Sequence, residues 1–432
     1  MNSISNGILT RFAALAMLAG ISLSPILWGG GTIEIDEYKK ISIGVGIRTS
    51  FNWVEDANTV NPTAAKPLGD VEDGSDLSLD SIRLYISGQV HEYVKFTFNT
   101  ERTGRDSNAD DDGADVEVID GIVQLEYNDY FNIWMGRFLP PSDRSNFSGP
   151  YYLNSWHFPG GGVVAGGPQA FPNITNGRDE GIAYWGMYNG GQVKWQVGLF
   201  EGNQDSVLNP EDNYLAAGRL TLNLWDPEPG YYNASTYYGG KDVLAIGLVG
   251  MQQSDSMGTT GPTGPGGVTN ITTPNGKSGD FAGFSIDFLA EKVLGNDSVV
   301  TFEAAYYNYD ADDLVVDTWP FAQGDGFFVL ASYLFPETGW NVNGRFQPMI
   351  RFLSSDVDKI NVAGVTFNLA APGLAVPAAG NRETFEIGLN YIIDGFDLRL
   401  FSVLGFNEFD LDGRAKDPDD VTYFTLGVQL QL

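Results

Sequence analysis

Cysteine is absent from the 432 residues, which excludes disulfide staples, cysteine-ligated zinc and covalently attached c-type haem in any compartment. Histidine is almost absent, with only His91 and His157 present. A serine–histidine–carboxylate hydrolase would need one of them, and neither has a serine and a carboxylate at a recognisable spacing. No complete Gly-x-x-x-x-Gly-Lys-Ser/Thr phosphate loop occurs, since Ile271 stands where Gly276-Lys277-Ser278 would need its first glycine, so the chain is expected to be non-enzymatic and to need no cofactor or resident metal. Beyond residue 30 no stretch offers the roughly 18 consecutive apolar residues of a membrane helix. Positive charge is scarce: 24 Lys and Arg face 55 Asp and Glu, a net charge of −31 that argues against a nucleic-acid partner.

What is abundant is glycine (54 residues) and aromatic side chains (13%) in a chain of mean hydropathy −0.13. Gly- and aromatic-rich sequence that is polar on average suits a membrane β-barrel, whose hydrophobicity sits in every second residue. At the N-terminus, Arg11 precedes an apolar run from Phe12 to Ile21 (FAALAMLAGI). This reads as a secretory signal over residues 1–28, cleaved between Ser22 and Gly31; the run is too short to span as an anchor.

From Ile41 onward the chain alternates apolar and polar residues in segment after segment. Ile41 to Trp53 sets Ile43, Val45 and Ile47 against Gly44, Gly46 and Arg48, and Ser81 to His91 sets Ile82, Leu84 and Ile86 against Arg83, Tyr85 and Ser87. Before Leu432 the residues Phe424, Leu426, Val428 and Leu430 oppose Tyr423, Thr425, Gly427, Gln429 and Gln431. Sixteen or so strands result, joined alternately by long polar loops and short turns such as Asn189-Gly190-Gly191. The fold expected over residues 38–432 is therefore all-β: a transmembrane antiparallel β-barrel with long external loops and short periplasmic turns. Tyr93, Tyr127, Tyr130, Phe131, Tyr188, Phe335, Trp340, Tyr391 and Phe396 flank the short turns as an interfacial girdle would. Pro348 predicts a bulge, because it removes a ladder hydrogen bond. The connection Asp226 to Lys241, with four tyrosines, is longer than the rhythm allows and is unexplained at this level.

Residues 140–177 break the strand pattern yet carry Phe147, Tyr151, Tyr152, Trp156, Phe158 and Phe171. Aromatics cost free energy in water, so this loop is expected to pack, either outside on its neighbours or inside the barrel. In the second case it narrows the lumen, with Asp143, Arg144, His157 and Arg178 supplying charge. Charged residues on the polar phase predict the lumen lining: Arg48, Arg83, Lys95, Lys194, Arg219, Arg345, Arg351 and Arg399 with Glu101, Asp120, Glu126, Asp287, Glu303, Glu386 and Asp397. Arg137 joins them less cleanly, since its strand is apolar on both phases. Mixed signs give a water-filled passage with a transverse field rather than an ion-selective ring, or simply reflect exclusion of charge from lipid. Excess acid sits in loops (Glu72, Asp73, Asp76, Asp110, Asp111, Asp112, Asp312, Asp313, Asp417, Asp419, Asp420), a surface that divalent cations would bridge to lipopolysaccharide. Asn108 to Ile119 fails as an EF-hand, beginning on Asn and ending on Ile.

Several stretches, ISIGVGIRTSFN from Ile41, LDSIRLYISGQVHEYVKFTFNTE from Leu79, MGRFLPPSDRSNFSGPYY from Met135 and GRDEGIAYWG from Gly177, are similar to Gram-negative porins of the phosphate-selective O/P-like type. The resemblance implies an outer-membrane diffusion channel, a homotrimer, and a constricting role for residues 140–177. The chain departs from that family in ending on Leu432 rather than Phe or Trp and in lacking a dense arginine ladder. The expected function is passive diffusion of small hydrophilic solutes and ions. An anion- or phosphate-preferring channel, and a structural barrel sheathing an electron-transfer protein, are the alternatives.

Overall fold

Period-two alternation buries one face of each strand and exposes the other. A sheet built only of such strands satisfies every backbone group by closing on itself. The computed structural model describes residues 31–55, 74–103, 115–159, 177–202, 213–257, 279–311, 323–337, 343–358, 361–362, 365–366, 380–411 and 421–432. After a short β1 (Gly31–Glu34), the wall comprises β2 (Lys40–Val54), β3 (Gly74–His91), β4 (Val94–Thr103), β5 (Asp115–Asn128), β6 (Phe131–Phe138), β7 (Asp179–Tyr188), β8 (Val193–Phe200) and β9 (Leu215–Asn223). It continues through β10 (Val243–Met257), β11 (Gly279–Val293), β12 (Val299–Asp310), β13 (Gly324–Leu334) and β14 (Arg345–Val357). A two-residue hairpin, β15 (Asn361–Val362) and β16 (Val365–Thr366), lies in the next connection, before β17 (Gly380–Asp394), β18 (Leu398–Leu411) and β19 (Val421–Gln431).

Each wall strand pairs antiparallel with the next, and β19 pairs back onto β2 from Gln431↔Gly46 to Tyr423↔Val54. The result is a closed barrel of sixteen strands. Leu432 exchanges backbone hydrogen bonds of 2.8 and 2.9 Å with Val45, and β1 continues the same edge of β2 from Gly31↔Ile43 to Glu34↔Lys40. The pattern of alternation places the faces as expected: Ile43, Ile47, Leu426 and Leu430 point outward at 40–49% exposure, while Arg399 and Gln429 inside are fully buried. A wall jacketed in exposed aliphatic side chains around polar ones inverts a water-soluble core.

Several expectations need correction. The strands run further toward the long loops than the alternation suggested; β3 begins at Gly74. Pro348 makes no bulge: the ladder to β13 stops at Ser332↔Met349 and resumes unshifted at the Phe335 N to Phe346 O hydrogen bond (2.9 Å), so pairing lapses beside Pro348 without an inserted residue, and Pro348 sits in register with Leu389 on the other side. Phe396 turns inward onto Tyr152 and Tyr238, at ring separations of 4.8 and 5.0 Å, instead of joining the girdle. Tyr127, Tyr130, Phe131 and Tyr188 do face outward, each more than half exposed. At the β7–β8 turn Asn189 and Gly190 take φ of 50° and 66°, the left-handed conformation that the Asn-Gly pair favours. The signal segment, Phe171, Trp340 and the loop acids other than Asp76 lie outside the described residues.

Candidate functional site

The barrel interior is where polar groups, aromatic side chains and free space converge. After Phe138 the chain enters it. Asp143 caps a helix, α1 (Arg144–Tyr152), accepting from the Ser145 amide at 3.0 Å. The helix breaks at Gly149, whose φ of 61° and the following Pro150 divide it, and all nine of its residues are buried. Burial pushes the Asp143 carboxyl above its ordinary range, and the Asp287 charge adds to this.

The wall grips this segment by its backbone carbonyls. Arg399 donates to Tyr151 O and Leu153 O (2.6 and 2.9 Å), Arg48 to Trp156 O (2.6 Å), Arg351 to His157 O (2.8 Å) and Arg219 to Ser142 O (3.0 Å). Asn390 holds Asn154 O at 3.0 Å and Gln429 holds Tyr151 O at 3.1 Å. Carbonyls left without helical partners thus meet charged donors, the stronger kind of hydrogen bond. Two inward glycines make room: a Cβ on Gly46 would lie 2.8 Å from the Tyr151 ring, and one on Gly427 2.7 Å from Trp156. Gly247 does the same for Arg219, which crosses it to reach Asp287.

The unexplained connection, residues 224–242, enters from the opposite, short-turn end. Tyr231 is fully buried, stacked on Trp134 at 4.5 Å and packed on Phe138 and Phe147. Glu291 of β11 anchors this segment by accepting from Thr236 Oγ1 (2.7 Å), Tyr237 N (3.0 Å) and Gly239 N (2.9 Å). Glu303 accepts from Ser235 Oγ at 2.8 Å, while Lys194 and Gln196 donate to Tyr232 O and Tyr231 O. The two segments meet where Arg144 donates both Nη atoms to the Glu228 carboxylate, each at 2.8 Å, and Nη1 to Ala234 O at 2.7 Å. Burial alone would push the Glu228 carboxyl up, but the Arg144 charge outweighs it and holds Glu228 at about 2. Around them an apolar core of Phe138, Phe147, Phe200, Tyr231, Met251, Tyr307 and Phe328 fills the sector bounded by β6 to β14.

Space remains on the other side. A cavity of about 470 Å³ runs along β2 to β6, lined toward the short-turn end by Lys40, Ser42, Gln89, Lys95 and Glu126 and deeper by Arg83, Asp120, Trp134, Tyr152 and Arg178. Three of its cations are matched by carboxylates: Arg83 with Glu101 (2.5 Å), Lys95 with Glu126 (2.5 Å) and Arg178 with Asp120 (3.3 Å).

The predicted residues therefore separate into groups. Arg83, Lys95, Asp120, Glu126, Tyr152 and Arg178 border the cavity, with Glu101 behind Arg83. Arg48, Lys194, Arg219, Asp287, Glu303, Arg351, Glu386 and Arg399 face inward but are buried against the inserted segments, as are Asp143, Arg144, Tyr151 and Trp156. His157 is partly exposed, 3.4 Å from Glu386 Oε1. Arg345 and Asp397 sit at the short-turn rim, Arg345 donating to Phe335 O and Asp397 lying in the β17–β18 turn rather than on a strand. Arg137 is outside: it shares the outward phase of β6 with Ile133 and Met135 and pairs with Glu180 at 2.8 Å. The alternation missed residues 224–242 because a connection has no phase to read. Asp179, Glu180 and Glu201 gather carboxylates at the long-loop end, within 4.8 Å of one another, and Asp179 already accepts from the amides of Glu180 and Gly202.

No family model matches this chain, and none of the curated proteins matches it in sequence. Solved structures do match in shape. The chain is similar to the outer membrane channel DcaP of Acinetobacter baumannii (TM-score 0.53, 12% identity, 93% of this chain and 99% of that one). It is also similar to OmpF of Salmonella typhi in complex with daunomycin (0.55, 14%, 93% and 100%) and to outer-membrane expressed OmpT of Vibrio cholerae (0.51, 12%, 93% and 100%). At such identities the likeness is one of fold, a sixteen-strand barrel over nearly the whole chain, and it lends nothing to the phosphate-selective family in particular.

Proposed function

We propose that the chain is a channel of the Gram-negative outer membrane through which small hydrophilic solutes and ions diffuse passively along the β2–β6 wall. The observation that carries this reading is a closed, apolar-jacketed barrel in which residues 139–159 and 224–242 fill one side of the interior and leave, along β2 to β6, a cavity of about 470 Å³ bordered by paired charges. The constriction expected of residues 140–177 is in this reading shared with the second segment. Paired charges along the cavity favour weak ion preference. An anion- or phosphate-preferring channel would need guanidinium groups facing solute, whereas Arg48, Arg219, Arg351 and Arg399 point their donors at loop carbonyls. A homotrimer fits the solved trimer form of Vibrio cholerae OmpT, an outer membrane protein of similar fold. Lipid, and lipopolysaccharide bridged by divalent ions to the acidic loops, would be its surroundings.

The apolar core favours a second reading, a structural barrel that does not conduct. A sheath around an electron-transfer protein is not favoured, because the chain's own segments occupy the interior. Liposome swelling with sugars of graded size separates the two: uptake with a sharp upper size limit supports the channel, and no uptake of any sugar by correctly inserted protein supports the structural role.

A further inference from the structure

Each inserted segment is fastened to the wall independently. Residues 151–157 are held by Arg48, Arg351 and Arg399, and residues 235–239 by Glu291 and Glu303. What joins the two to each other is apolar packing of Phe147 on Tyr231 and Tyr232, at ring separations of 5.3 and 5.4 Å, and a polar seam. Among the described residues the bidentate Arg144–Glu228 pair is the seam's ion pair, flanked by Arg144 Nη1 on Ala234 O (2.7 Å), Tyr231 Oη on Leu139 O (3.3 Å), a Ser148–Ser235 hydroxyl contact of 3.1 Å and the Ser235 amide on Tyr152 O at 3.2 Å. We propose that the Arg144–Glu228 pair sets the size limit of the channel by clasping the loop from one mouth to the connection from the other, so that solute is confined to the β2–β6 side. The proposal rests on the channel reading above.

The physical reason lies in burial. Both members are at most 1% exposed, and a buried guanidinium deprived of its carboxylate is strongly destabilised unless water reaches it. With the wall anchors intact, the relaxation that brings water to the guanidinium is a parting of the two segments at this seam. Water would enter between them and join the cavity, which α1 already borders through Phe147 and Gly149. Neither the wall nor its closure depends on the pair.

The test is planar-bilayer recording and liposome swelling on the full chain with E228Q and with the double variant R144Q/E228Q. In the double variant both charges leave together, so folding is spared the unpaired guanidinium. Both variants are expected to raise unit conductance about twofold and to admit sugars larger than the wild-type limit. Adding S148C and S235C to E228Q supplies a covalent substitute in a chain with no other cysteine: the oxidised protein should show a smaller size limit than the same protein after reduction. Wild-type conductance and size limit in an inserted R144Q/E228Q barrel would overturn the proposal. A wild-type protein that conducts nothing would instead remove the channel reading and the clasp with it.

Discussion

Arg399 makes four hydrogen bonds, to Tyr151 O, Leu153 O, Gln429 and Tyr238 Oη, and is fully buried. R399A removes a charged donor from several buried acceptors at once, so a loss of about 3–5 kcal/mol is expected, measured as the denaturant midpoint in detergent. A change no larger than that of an exposed substitution would contradict the anchoring role. At Gly46 the constraint is volume: G46V places side-chain atoms inside the Tyr151 ring, so it should disturb the loop and lower the midpoint in the same assay. The sequence shows that Arg48, Arg351 and Arg399 point inward, because phase is local. Their partners are not legible, because the carbonyls they bind lie 108, 194 and about 250 residues away along the chain. Arg137 was misplaced for the opposite reason: a strand apolar on both phases has no phase to assign.

At the scale of elements, the wall strands were legible from alternation and the inserted segments only in part. Aromatic content marked residues 140–177 as packed, but nothing in local pattern says that residues 224–242 turn inward. One signal was available: β10 is apolar on both faces, with Val243, Ala245, Val249 and Met251 buried inside opposite Leu244, Ile246 and Leu248 outside. A strand apolar on both faces implies a dry interior beside it when its other face meets lipid. Y231A should therefore cost about 3–5 kcal/mol, as for large buried aromatics, and admit larger solutes. Acid should probe the clasp. Glu228 is held at about 2 against an ordinary 4.5, so its contribution is complete above pH 4.5 and fades as the pH falls toward 2. Asp143, raised by burial, works in the other direction as the pH falls. The unfolding midpoint of E228Q should accordingly vary less between pH 5 and pH 3 than that of wild type; equal variation would count against the ion pair.

For the molecule as a whole, a diffusion channel requires that the apolar jacket meets lipid and that the interior keeps a passage. I47K puts a charge on the outward face at mid-strand and should cost about 2–4 kcal/mol in bilayer-inserted protein, where the same change on a soluble surface would be nearly free. In the channel reading, solute and selectivity depend on the small cavity left between the inserted segments and the β2–β6 wall, and that space is set by distant packing rather than by any motif. The most direct measurement is single-channel recording of the purified wild-type chain in a planar bilayer under a salt gradient. Small, well-resolved steps with a reversal potential near zero are predicted from a narrow lining of paired charges. A silent bilayer with correctly folded protein inserted, or steps of strong anion preference, would contradict it.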